Sequence, residues 1–121
     1  MRARVFPKGE RLRRPVEFRS VFEGGRRIER PSVLLVWKLV EGERKVGFTV
    51  SRQIRGVVSR NRARRRVREA YRRSRQLLPP RVHVIFVARR SVLNEPFDTL
   101  CRDVRDGLED IAHGCLTIGH H

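Results

Sequence analysis

The sequence is short of acid, of cysteine and of long apolar runs, and each shortage closes a class of function. Only 13 Asp and Glu stand against 29 Lys and Arg, a formal charge of +16 in 121 residues. The few acids are densest in the last helical segment, and neither paired carboxylates nor a metal-ligand cluster is visible. The two cysteines, Cys101 and Cys115, form no Cys-x-x-Cys or Cys/His spacing, which argues against zinc and dithiol chemistry. Cys101 falls on an apolar helical stripe and reads as a reduced core residue. No apolar stretch approaches the roughly 20 residues that span a bilayer. The start, MRARVFPKGERLRRP, lacks the apolar segment of a secretory signal. A soluble, cytoplasmic chain is expected. There is no Walker loop and no Gly-x-Gly-x-x-Gly element, and Ser51 and Ser59 have no spaced His and Asp partners. The expectation is no catalytic residue, no metal site and no small-molecule substrate. His83 reads as a neutral edge or core histidine rather than a ligand, and Gly119-His120-His121 carries no functional argument.

What the chain has is arginine. Residues 59–75 read SRNRARRRVREAYRRSR, with Glu69 the only acid. In a helix, Arg60, Arg64, Arg68 and Arg72 stack at four-residue spacing, a repulsion of about 0.2–0.5 kcal/mol per pair. A polyanion against the segment would offset it. Ala63, Val67, Ala70 and Tyr71 recur at i, i+4, i+7 and i+8 and draw one apolar stripe, so the segment is expected as a docked helix with a cationic outer surface. The planar guanidinium fork suits phosphate. A GC-rich genome explains the preference for Arg over Lys equally well, but not the clustering. Nucleic acid is the expected partner, ahead of an anionic membrane surface.

At this length the chain is one domain. Residues 1–14 form a basic arm that orders only on a partner or on the domain surface. Residues 15–113 form the domain, and 114–121 a tail. Pro15 opens a short helix with Phe18, Val21 and Phe22 on one face, stopped by Gly24-Gly25. Residues 32–40, SVLLVWKLV, are a strand. The turn Glu41-Gly42-Glu43 leads to a second, in which Val46, Phe48 and Val50 alternate with Gly47, Thr49 and Ser51. The two are expected as an antiparallel hairpin, with a weaker strand signal at 26–29. The small-residue face of the second strand admits close approach of a ligand.

Ser59 is a candidate cap for the arginine helix. Residues 82–88, VHVIFVA, read as an interior strand. Asn94 and Pro96 open a last helix with Phe97, Leu100, Cys101, Val104, Leu108 and Ile111 on one face. Asp98, Asp103, Asp106 and Glu109 lie opposite as solvating charge. The expected fold is a two-layer α+β sandwich with the helices on one side of the sheet. No helix-turn-helix pair or heptad repeat accompanies the arginine helix, which favours RNA over DNA. Phe18, Phe22 and Trp37 offer faces on which unpaired bases could stack, although Phe at helical spacing is also ordinary core.

With the strand VGFTVSRQI leading into SRNRARRRVREAYR, the chain resembles the protein subunit of bacterial ribonuclease P. RLRRPVEFRSVFEGGRR resembles that family's first helix and VHVIFVARR its last strand, so most of residues 11–112 is covered. Asn61 between Arg60 and Arg62 is the most specific feature, since charge alone does not call for an amide. The resemblance implies an α-β-β-(β)-α-β-α order and a mostly antiparallel sheet. It also implies a left-handed crossover through the arginine helix, against the right-handed rule that holds in about 98% of such units. It implies a holoenzyme whose RNA subunit removes the 5′ leader of precursor tRNA with Mg²⁺, an ion assigned to no residue of the protein. Arg60, Asn61, Arg62, Arg64, Arg65 and Arg68 would then face the RNA subunit. Phe18, Phe22, Val36, Ser51 and Arg52 would line the leader cleft between first helix and sheet. Relatives can carry an aromatic where this chain has Val36. Trp37, one place along, faces the other side of the strand and cannot substitute. The alternative reading is a ribosomal protein of similar α+β build.

Overall fold

Two kinds of strand order the sheet: those apolar on one face and one apolar on both. The computed structural model describes residues 10–118. Its elements run α1 (Pro15–Gly24), β1 (Arg26–Glu29), β2 (Val33–Leu39), β3 (Lys45–Val50), α2 (Val57–Ser74), β4 (Val82–Ala88) and α3 (Phe97–Ile118). In β4, residues Val82, Val84, Ile85, Phe86 and Ala88 are all buried. A strand with that pattern needs cover on both faces and neighbours on both edges. It pairs antiparallel with β2 and parallel with β3, giving the order β1-β2-β4-β3.

The hairpin expected of β2 and β3 therefore does not form, because β4 lies between them. Alternation specifies which residues face the core and leaves the identity of the neighbouring strand open. The segment from Val40 to Arg44 is long enough to step across the intervening strand, two spacings or about 9.6 Å. The weak signal at 26–29 is a true edge strand, β1, antiparallel to β2. The parallel pair β3/β4 is joined through α2, the crossover that the resemblance implies.

α2 and α3 make one layer on the sheet. Ala63, Val67, Ala70 and Tyr71 of α2, with Leu100, Val104, Leu108 and Ile111 of α3, seal against Val33, Leu35, Trp37, Val84 and Phe86. The expectation that all helices share one side fails for α1. Its Val21 joins Leu12, Val36 and Ile85 on the opposite face, with Phe18 and Phe22 partly buried beside them. The doubly apolar β4 requires this second cover. Trp37 and Val36 do face opposite sides, and Trp37 is buried with its indole against Gly114. It offers no stacking surface.

Local chemistry moves several element ends. Gly56, at φ +88, turns the chain into α2 three residues before Ser59, which is inside the helix rather than its cap. Asn94 closes the 3-10 turn Arg90–Leu93 and does not cap α3. Residues 114–118, expected as tail, continue α3. Residues 10–14 of the expected arm are ordered on the domain: Leu12 N–H donates to Val46 O at 3.0 Å, and Glu10 is buried. The rest of the arm, 1–9, and the end, 119–121, lie outside the described residues. Asp103 is not solvating charge: it is buried and accepts from Ser32 N–H at 3.1 Å and Ser32 Oγ–H at 2.6 Å.

Candidate nucleic-acid interface

The arginines of α2 divide by what each touches. On the α3 side, Arg66 and Arg73 sit over the Phe97 ring, with Cζ 5.5 and 4.9 Å from its centroid, and Arg66 Nη2 donates to Glu95 O at 2.7 Å. At the C-terminal end, Arg72 pairs with Glu69 at 2.8 Å, and Arg75 with Glu10 at 2.9 Å. Arg66, Arg73 and, just past the helix, Arg75 tie α2 to the rest of the fold, while Arg72 is paired within the helix itself. The N-terminal half presents the rest. Arg60 Nη1 donates to Ile54 O at 2.8 Å and to Ser51 O at 3.2 Å, so this guanidinium is engaged by the 51–54 turn. Arg64 Nη1 donates to Asn61 Oδ1 at 2.9 Å. Asn61 thereby aims an arginine without neutralising it, which a carboxylate at that position would do.

Arg62 and Arg65 are exposed and have no acidic partner among the described residues. With 3.6 residues per turn, Arg65 points directly away from the buried stripe. Arg68 lies over the Phe48 ring, with Cζ 5.8 Å from the centroid. Its pKa is lowered, first by burial and then by repulsion from Arg11, Arg64 and Arg65. Of the six residues expected on this surface, Asn61, Arg62, Arg64, Arg65 and Arg68 share it, and Arg60 serves the adjoining turn.

The second set lies on the other face of the sheet. Strand register places Arg27, Val36, Ile85 and Gly47 in one row across it, and Glu29, Leu34, Val87 and Thr49 in the next. α1 covers the first row. Val36 is fully buried there, so it supports the cleft from beneath and presents no surface. Leu34, Val87 and Thr49 remain half-buried beyond the helix, flanked by the half-buried Phe18 and Phe22. Ser51 Oγ accepts from Gln53 N–H at 3.1 Å and shapes the turn at the head of this row, where Arg52 is exposed. The open row is apolar at its centre and cationic at its end. Gly47 keeps the helix close: a Cβ there would stand 2.7 Å from Phe18 Cζ.

Three ties fasten these parts. Glu17 accepts from Arg13 N–H and Arg14 N–H, both at 3.2 Å, and from Lys45 Nζ at 2.9 Å. The Lys45 bond, with the two backbone donors, holds its pKa down at about 2 despite partial burial. Lys38 Nζ donates to Ser20 Oγ at 3.0 Å. Glu10 accepts from Arg44 Nε at 2.8 Å and from Arg75 Nε at 2.9 Å, while Arg44 Nη1 caps Leu78 O at 2.7 Å. His83, half-buried beneath α1, has a lowered pKa, mainly through burial. Sequence reasoning placed Thr49 on a face open to a ligand but missed the Glu10 clamp and Leu34 and Val87 of the open row. One signal for the clamp was available: Glu10 is the sole carboxylate in the first fourteen residues.

Among the described residues, no three His, Cys, Asp or Glu come together as metal ligands, and no helix is long and apolar enough to cross a membrane. The one carboxylate in the two sheet rows, Glu29, is paired with Arg89 at 3.3 Å, and the other polar side chains at the two surfaces are guanidinium, amide and hydroxyl, so these residues offer no carboxylate cluster that fits Mg²⁺.

Fold and site together define a basic α+β protein with an arginine-faced crossover helix and a cleft on the opposite sheet face. The family model for ribonuclease P matches residues 6–112. Among curated relatives, the ribonuclease P protein component of Chloroflexus aurantiacus is 42% identical over 102 residues, covering 78% of this chain and 71% of that one. That of Symbiobacterium thermophilum is 38% identical over 108 residues, covering 84% and 90%. The chain belongs to the ribonuclease P family, as its protein component. The solved RNase P protein from Thermotoga maritima shares the fold at a TM-score of 0.74 and 22% identity, covering 84% of this chain and 97% of that one. The Staphylococcus aureus RNase P protein does so at 0.72 and 18%, covering 87% and 96%.

Proposed function

We propose that this chain binds the RNA subunit of ribonuclease P through the outer surface of α2 and receives the 5′ leader of precursor tRNA in the cleft beside α1. In this reading it promotes Mg²⁺-dependent endonucleolytic removal of the leader, which forms the mature tRNA 5′ end. The RNA supplies the catalytic groups and holds the Mg²⁺, and the protein supplies position and charge. The work is cytoplasmic and involves neither a membrane nor a small-molecule substrate. The observation that carries the reading is the α2 surface: Asn61, Arg62, Arg64, Arg65 and Arg68 on one side, with no acid paired to Arg62 or Arg65 among the described residues. Phosphate contact at such a surface supplies affinity through counterion release. The cleft suits a single strand, since a half-open apolar row with phenyl groups at its edge can take unpaired bases. Family membership sets aside the ribosomal-protein alternative. The test is cleavage of precursor tRNA by the RNA subunit at low Mg²⁺, with and without this protein. Faster leader removal with the protein is expected, and no gain would end the reading.

A further inference from the structure

At the edge of the sheet, where the segment 10–12 leaves β3, a cavity of about 180 Å³ is lined by Arg11, Arg13 and Arg68 together with Phe18, Gly47 and Phe48. It straddles the edge strand. Gly47 and Phe18 belong to the α1 side of the sheet, and Phe48 and Arg68 to the α2 side. The cavity thus lies between the two surfaces described above.

Three features restrict what it can hold. It is smaller than the roughly 300–1,000 Å³ of ordinary small-molecule sites, so it suits a chemical group rather than a whole ligand. No acid lines it. The carboxylates nearest in sequence are engaged elsewhere, Glu10 with Arg44 and Arg75, and Glu17 with Lys45. The aromatic walls also exclude a stacked base at Phe48. That ring lies nearly parallel to Phe86, 14° between planes and 5.4 Å between centroids, while the Arg68 guanidinium sits over it at 5.8 Å. A compact anion is what remains. The cluster has a reason to take one, because like charges at Arg11, Arg64 and Arg65 face the partly desolvated Arg68.

We infer that this cavity holds one backbone phosphate of an RNA strand crossing the β3 edge between the α2 surface and the α1 cleft, with Arg13 and Arg68 sharing that phosphate. The inference rests on the RNA-binding reading given above and adds a defined contact to it. Glu10 is the positioning residue, since its bonds to Arg44 and Arg75 hold the segment that brings Arg11 and Arg13 to the cavity.

The test compares the full chain with Arg13→Gln, Arg68→Gln and the double variant. Affinity is measured over a range of salt for the RNA subunit and, separately, for precursor tRNA in the holoenzyme. Each single variant should lower the slope of log affinity against log salt by less than the value of one phosphate, because the other arginine still holds it, and the double variant should lower it by about 0.7–0.9 in all. The RNA whose slope changes identifies the strand. A double loss of about 1.4–1.8, the value of two phosphates, would mean separate phosphates and overturn the inference. So would unchanged slopes in both arms while Arg65→Ala still lowers one of them, which would leave the broader reading intact. No affinity of the unaltered protein for either RNA would overturn both. Arg13 is exposed and, among the described residues, bonds only through its backbone N–H. Should Arg68→Gln fail to fold, Arg13→Gln must lower the slope alone, and an unchanged slope would be decisive against the shared phosphate.

Discussion

On the α2–α3 side of the sheet, the side chains of β2 and β4 are sealed by two long helices. On the α1 side, Leu12, Val21, Val36 and Ile85 are buried, while Phe18, Phe22, Leu34 and Val87 keep part of their surface in water. The contrast shows how a small domain separates stability from use. One face holds the large continuous core, with Tyr71, Phe86 and Phe48 packed ring against ring. The other is covered by a single helix, held by a few polar ties, and leaves an apolar row open. Under the function proposed above, this partly exposed row is where the leader would dock.

The contrast can be broken experimentally. Phe86→Ala, on the sealed side, should cost about 3–5 kcal/mol, enough to unfold much of the protein, as read by chemical denaturation. Phe22→Ala, on the open side, should cost only about 1 kcal/mol because its ring is half-buried. Its larger effect should be lost discrimination between precursor and mature tRNA. Equal stability losses for the two variants would show that both faces are core and that the cleft is not a site.

Glu17→Gln probes the fastening of α1 by pH. The folded carboxyl is depressed from 4.5 to about 2, so the stability it contributes is present above pH 4.5 and is lost as pH falls toward 2. Denaturation of the variant and the unaltered protein should therefore differ by a constant amount at neutral pH and converge toward pH 2. A difference that persists at acid pH would place the effect in packing rather than charge. The smallest change in stability belongs to Arg65→Ala, within about 0.5 kcal/mol because the side chain is exposed. Its affinity for the RNA subunit should fall, and the salt slope should drop by about one unit. Unaltered binding would remove Arg65 from the interface.

Much of this was legible in the chain because it depends on local pattern. The stripe Ala63, Val67, Ala70 and Tyr71 repeats at helical spacing, and all four are buried. VHVIFVA lacks a polar face, and its strand is central. Neighbours could not be read the same way. β2 and β3 alternate properly and are close in sequence, yet neither pattern says that a strand made later will separate them. The roles of individual charges were equally hidden. Asp103 and Asp106 look alike on the helix, but Asp103 lies opposite Ser32 and is buried, while Asp106 is partly exposed beside Arg30. Arg60 and Arg64 occupy equivalent places in the run. Only the 51–54 turn, which folds back under Arg60, distinguishes an anchoring guanidinium from one that is presented. Asn61 was legible as the specific residue of the motif, and its bond to Arg64 gives the amide a physical task.

The insertion of β4 also imposes an order on assembly. During synthesis β2 and β3 are complete while β4 does not yet exist, so β3 has no native strand beside it except the short contact at Arg11. The hairpin that β2 and β3 could form locally is a competitor of the native sheet, and its antiparallel register would have to open before β4 could enter. Glu10 waits in the same way for Arg75, which is 65 residues further on. The Glu10 clamp can close once Arg75 has been made, whereas the sheet is completed only when β4, residues 82–88, has followed.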